Sequence, residues 1–204
     1  MYNFHCSLKV NIGMRASIPI LCLVAVLLPG CRVSLTEAFG YQGFTPPPQL
    51  ERASELVGLN ERQDRVTLRE FLGVDPVQVE WCAAFVNSVL TEVGLESTRS
   101  LMARSYLSWG SSTDTPSPGD IMIFSRGDQG WAGHVGFYVA TIVYRDKNYW
   151  VVLGGNQDNS VSYKLYPENY WRHLDTRTVL DEPSKTLLFN QQWLLEGIPL
   201  ELVD

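Results

Sequence analysis

The feature that most constrains this chain is a change of hydrophobic period near residue 111. Before that point apolar residues recur on a helical repeat. Cys82, Phe85, Val86, Val89 and Leu90 fall at i, i+3, i+4, i+7 and i+8 within residues 79–90, and Gly94 is the expected stop. Shorter helical patterns cover 50–59, 66–72 (ending at Gly73) and 100–109 (closed by Gly110). Residues 111–118 are rich in Ser, Thr and Pro and read as a loop. Beyond it the signal is strand-like. Residues 121–124 form a short apolar run, and Val135, Phe137 and Val139 alternate with Gly136, Tyr138 and Ala140. Further strands are expected at 149–153 and 161–165, separated by turn residues at 145–148 and 154–156. Helices first and short strands after give an α+β class, with N-terminal helices packed on a small antiparallel sheet.

The first 31 residues differ from the rest. Lys9 and Arg15 are their only Lys, Arg, Asp or Glu residues, and 18–28 is almost wholly apolar. Such a run is short of the ~20 residues that span a bilayer. It has the positive n-region and short h-region of an export signal, starting at Met1 or at Met14. Its end, Leu28-Pro29-Gly30-Cys31, resembles a bacterial lipobox, which makes Cys31 the expected lipidation site. Arg32 follows directly; by resemblance to lipoprotein sorting signals, this implies the outer membrane, facing the periplasm. Residues 1–31 therefore read as a lipoprotein-type signal peptide and 32–48, ending in Pro46-Pro47-Pro48, as a tether. Residues 49–180 read as the main globular domain and 181–204 as a C-terminal extension with no clear period.

Composition enters through exclusion. A net charge of −6 argues against nucleic acid as a partner. The chain has four cysteines. Cys6 and Cys22 would leave with the leader and Cys31 would carry lipid. Cys82 would then be a lone thiol in an oxidising compartment, where cysteines are normally paired.

Cys82 lies in the first turn of its helix, where the dipole and unpaired N–H groups favour a thiolate. The competing reading is a core cysteine, since it sits on the apolar stripe. A nucleophilic thiol needs a base, and the base needs an orienting group. His134 stands where a glycine-rich loop enters the second strand, and Asn156 follows the third. An antiparallel pairing of these strands would bring Asn156 to the outer imidazole nitrogen. Asp120 and Asp158 are alternative partners, although Asp120 reads more naturally as a turn residue. His173, in a polar segment, reads as a surface residue. Trp81 and Trp131 are candidate walls of a substrate groove. No His, Cys and Asp cluster has metal-ligand spacing, so no metal or cofactor is expected.

Four motifs in order carry a family resemblance: Trp81-Cys82-Ala83-Ala84-Phe85-Val86-Asn87, Pro118-Gly119-Asp120-Ile121, Gly133-His134-Val135-Gly136-Phe137-Tyr138-Val139 and Leu153-Gly154-Gly155-Asn156-Gln157. Together they resemble the NlpC/P60 and CHAP superfamily over residues 50–177. The chain differs from mainstream NlpC/P60 members in having Trp81, not aspartate, before the cysteine. The resemblance implies a papain-like fold and a cysteine hydrolase of peptidoglycan, with Cys82 as nucleophile, His134 as base and Asn156 as the orienting residue. The expected reaction is cleavage of a stem-peptide amide, as an endopeptidase or an N-acetylmuramoyl-L-alanine amidase. The expected partners are peptidoglycan and, through the lipid, a membrane. The alternatives are a non-catalytic wall-binding lipoprotein and an antibacterial amidase effector.

Overall fold

The computed structural model describes residues 46–178 and 201–202. The expected signal peptide with its lipidation site Cys31, and most of the tether and C-terminal extension, lie outside the described residues. Among the described residues no helix is long and apolar enough to cross a membrane.

Among the described residues three α-helices precede the sheet: α1 (Pro48–Ser54), α2 (Arg65–Leu72) and α3 (Cys82–Glu92). The helix expected over 50–59 starts earlier and ends sooner. Pro48 occupies the first helical position, where its missing N–H costs nothing and its fixed φ suits the helix. The prolines of the expected tether thus open the domain, and Pro47 and Gln49 lie against Gly119. Helix α2 ends at Gly73, which is left-handed at φ 68° and supplies the C-cap. The pattern at 100–109 produces a 3₁₀ helix, Ala103–Ser108, not an α-helix.

The sheet contains β1 (Ser111–Ser112), β2 (Ile121–Ser125), β3 (Gly133–Tyr144), β4 (Lys147–Gln157), β5 (Ser160–Pro167), β6 (His173–Thr178) and β7 (Glu201–Leu202). Its order is β1-β6-β2-β3-β4-β5-β7. Strands β2 to β5 form an antiparallel meander, and β6 returns to pair with β2. Strand β7 adds in parallel to β5, so part of the C-terminal stretch joins the sheet. Strands β3 and β4 run longer than expected because the hairpin between them is tight. Arg145 and Asp146 both have positive φ, the signature of a two-residue type I′ turn. Asp158 and Asn159 repeat that device between β4 and β5.

Two hydrophobic layers follow from strand alternation. On one face Val135, Phe137, Val151 and Leu153 pack against the helices, including Phe85, Val86, Val89 and Leu90 of α3. On the other face Met122, Phe124, Tyr138, Trp150, Val152 and Tyr166 form a second, smaller cluster. The expected α+β class, with helices on an antiparallel sheet, is the class observed.

Candidate active site

Helix α3 delivers the thiol. Trp81 is its N-cap residue and makes no side-chain cap, while the Trp81 carbonyl accepts from the Phe85 N–H at 2.9 Å. Cys82 is the first helical residue, and only 2% of its surface is exposed. Its sulfur lies within reach of the backbone N–H groups of Val135 and Ala83. The thiol therefore abuts the strand residue that follows His134. Burial is the largest influence on it and pushes its pKa up; Arg126 and the two N–H groups oppose this without reversing it. The thiolate expected from the helix terminus alone is thus outweighed in the resting state. Desolvation of a charged sulfur costs more than the first turn returns.

Strand β3 delivers the imidazole. His134 is 2% exposed and lies on the face of the sheet shared with Phe124 and Tyr166, whose rings are 6.4 and 6.5 Å away, centre to centre. Its Nε2 is 3.1 Å from Gln157 Oε1 and its Nδ1 is 3.2 Å from Arg126 Nη2. These two contacts define the tautomer. A guanidinium has only donors, so Nδ1 must accept. The Gln157 amide is pinned by its Nε2 donating to the Ser162 carbonyl at 2.5 Å, which turns Oε1 toward the ring. Hence Nε2 carries the proton and donates to Gln157. Burial, reinforced by the Arg126 and Lys164 charges, lowers the His134 pKa to about 3, against the opposing Gln157 hydrogen bond. At neutral pH the pair is a thiol and a neutral imidazole.

The orienting contact is made by Gln157, not by Asn156, and the physical reason is a β-bulge. Gly154 pairs with Ser162 and Gln157 with Ser160, three steps on β4 against two on β5. A Cβ on Gly154 would sit 3.2 Å from His134 Nε2, so position 154 faces the imidazole. Unbroken alternation would put residue 156 on that side. The extra residue, with Asn156 left-handed at φ 56°, hands the position to 157. The Asn156 side chain instead donates to Glu80 Oε2 at 2.8 Å, and its carbonyl accepts from Arg126 Nη2 at 3.2 Å. Arg126 also pairs with Glu80 at 3.1 Å. Glu80, Arg126 and Asn156 therefore form a polar clasp around the imidazole's inner nitrogen. No periodicity or spacing in the sequence singles out Gln157, Arg126 or Glu80 for this role. The Gly-Gly-Asn-Gln run signalled a turn, but not the side of the strand on which each residue would emerge.

The remaining expectations sort by burial. Trp81 is fully buried, with its indole N–H donating to Glu61 at 3.3 Å, so it is a core residue beneath Gly155 and not a groove wall. Trp131, 65% exposed on the loop before β3, is available to a large substrate. Asp120 is buried and accepts from the Ser117 N–H at 2.8 Å, a turn role away from the imidazole. Asp158 pairs with Lys164. His173 is not a free surface residue. It lies in β6 with its ring 4.7 Å from that of Trp150, and its Nε2 is 3.0 Å from Thr176 Oγ1.

A buried thiol at a helix start, abutting a strand that carries a buried, oriented imidazole, is an arrangement that cysteine- and histidine-dependent hydrolysis can use. The comparison with known families agrees: residues 74–156 match the family model of the CHAP domain. The matched segment runs from the turn before α3 to the bulge of β4 and is consistent with the CHAP and NlpC/P60 superfamily. CHAP domains are in general cysteine- and histidine-dependent amidohydrolases or peptidases. No curated protein matches the chain.

Proposed function

We propose that this protein hydrolyses an amide bond of the peptidoglycan stem peptide. Cys82 acts as nucleophile, His134 as base and Gln157 as the residue that holds the imidazole. The single observation that carries this reading is the fixed tautomer of His134. With Nε2–H committed to Gln157, the Nδ1 lone pair is the basic position. In the acylation step the Cys82 proton moves to Nδ1 as sulfur bonds the carbonyl carbon. The C–N bond then breaks, and the same proton passes to the leaving amine. Water attacks the resulting thioester, its proton taken by Nδ1 and returned to sulfur as the carboxylate leaves. First-turn N–H groups of α3 are the natural donors to the oxyanion.

Muropeptide analysis by mass spectrometry after digestion of purified sacculi tests this, with Cys82→Ala as the control. New products from wild type, absent from the variant, are expected. Unchanged sacculi with both proteins would sink the reading.

One observation favours a second reading, a wall-binding module without turnover: thiol and imidazole are almost completely buried and Arg126 stands on Nδ1. Sedimentation with sacculi at full strength, together with unchanged muropeptides, would establish it.

We further propose that the protein is exported and held at the outer membrane through lipid on Cys31. The lipobox-like ending and the short apolar run before it support this. A single chain binds membranes marginally, whereas several hold firmly. Cys31→Ser should move the protein from the membrane to the soluble fraction; wild type already soluble would remove the anchor.

A further inference from the structure

The clasp around His134 has a chemistry of its own. Arg126 Nη2 occupies the lone pair that the proposed mechanism needs, at 3.2 Å from Nδ1. Its hold there is shared with the Asn156 carbonyl at 3.2 Å and with Glu80 at 3.1 Å. Glu80 lies two residues before the nucleophile. Its side chain is 77% exposed and that of Arg126 42%, so this ion pair is solvated and weak. A carboxylate from outside can take Glu80's place at little cost.

The surroundings favour such a visitor. A cavity of about 250 Å³ opens on His134 and Gln157 and is lined by Arg126, Lys164, Arg172 and Tyr166, with no acidic residue in its wall. Lys164 pairs with Asp158, and Arg172 stacks on Trp171 at 3.9 Å while donating to the Gly127 carbonyl at 2.8 Å. Glu80 and Asp158 offset two of these three cations, which leaves a net positive lining in a chain whose net charge is −6. A focused positive potential of this kind draws an anionic group to the site.

We propose that Arg126 is a specificity-determining residue that binds a carboxylate of the substrate close to the scissile amide, and that this binding draws the guanidinium off His134 Nδ1. The base is freed only when the acidic substrate is in place. This rests on the hydrolase reading for its catalytic consequence. The carboxylate binding itself is separable from it. A planar, forked guanidinium suits bidentate carboxylate recognition, which a lysine ammonium does not reproduce.

The test compares soluble muropeptides with the same muropeptides after conversion of their carboxylates to carboxamides. Affinity is measured by calorimetry on Cys82→Ala, and turnover on wild type. The expected result is binding roughly tenfold or more tighter for the carboxylate set, as a charge-assisted contact implies. Arg126→Gln in the Cys82→Ala background should bring the two sets to equal affinity, and Arg126→Lys should restore only part of the difference. In the active enzyme Arg126→Gln should raise KM for the carboxylate set, and it should give the carboxamide set a turnover that wild type lacks, because the guanidinium no longer covers Nδ1. Equal affinity of Cys82→Ala for the two sets overturns the assignment, as does discrimination that survives Arg126→Gln. Discrimination in binding with no turnover of either set overturns the hydrolase reading and leaves the carboxylate site standing.

Discussion

Nε2 of His134 donates to Oε1 of Gln157 across 3.1 Å, and the same glutamine is locked in place by Ser162. Gln157 therefore holds the proton on Nε2, while Arg126 keeps Nδ1 an acceptor. Gln157→Ala should lower kcat by roughly 10²-fold or more, with little change in KM. Loss of an orienting group in a triad reaches ~10⁴-fold in the most demanding cases. Gln157→Glu keeps an acceptor at the same place and should recover part of the rate. Asn156→Ala disturbs only the clasp with Glu80 and should cost less than Gln157→Ala. Steady-state kinetics of the three variants, with circular dichroism to confirm folding, decides the matter. A larger loss at Asn156 than at Gln157 would contradict the geometry.

The distance between Asn156 and Gln157 in the sequence is one residue, and it marks where sequence reading stops. Hydrophobic period revealed α2, α3 and the cores of β2 to β5, because those elements bury one regular face. The Cys82 stripe was legible for the same reason: Phe85, Val86, Val89 and Leu90 are all buried as the repeat requires. Strand β6 was not legible. Its buried positions, Thr176 and Thr178, are polar, and Leu174 on the same strand is 39% exposed, so the apolar alternation is missing. The bulge in β4 is a tertiary accommodation. Gly155 must clear Trp81 and Phe85 while Gly154 clears His134, and only packing tells which residue then faces the ring. Arg126 and Glu80 are separated by 46 positions and are joined only by the fold.

Burial of His134 ties stability to pH. Its folded pKa is depressed to about 3, first by burial and then by Arg126 and Lys164. An unfolded histidine titrates near 6.5. Between these values the unfolded chain binds the proton and the folded one does not. The stabilisation is fully present above about pH 6.5 and is lost as pH falls toward 3, at up to ~1.4 kcal/mol per pH unit. His173 is shifted in the same direction, mainly by burial, so it adds a second contribution. Thermal melts from pH 7.5 to 4.5 should show a steeper acid loss in wild type than in His134→Gln. His173 and the carboxylates are common to both proteins and cancel in the difference. Parallel Tm curves would show that His134 takes up its proton in the fold as readily as in the unfolded chain.

The same desolvation governs the thiol. Burial raises the Cys82 pKa, and the Arg126 charge does not compensate. Alkylation by iodoacetamide at pH 6–7 should therefore be slower than that of a free cysteine peptide. It should reach the peptide's rate only when the protein is unfolded in guanidinium. Mass spectrometry of quenched time points gives the rates. Rapid labelling of the native protein below pH 7 would mean that a thiolate is present at rest.

Gly155 lies at the floor of the site, where β4 packs on α3. A Cβ on Gly155 would lie 2.6 Å from both Phe85 Cβ and Trp81 Cζ3. Neither neighbour is free to retreat. Phe85 is fixed by α3 and is fully buried, and the Trp81 indole is tied to Glu61. Gly155→Ala must therefore push α3 away from β4, or distort the bulge that presents Gln157. Overpacking of this kind costs ~1–3 kcal/mol, which for a domain of this size is about 2–4 °C of Tm per kcal/mol. Gly130→Ala is the matched control, because a Cβ there meets nothing within 4 Å. It should melt with wild type. Because α3 carries Cys82 and the bulge carries Gln157, Gly155→Ala should also lower kcat more than its lost stability accounts for when assayed well below its Tm. A Gly155→Ala protein with wild-type Tm and kcat would show that the helix and the bulge are not packed as tightly as these distances require.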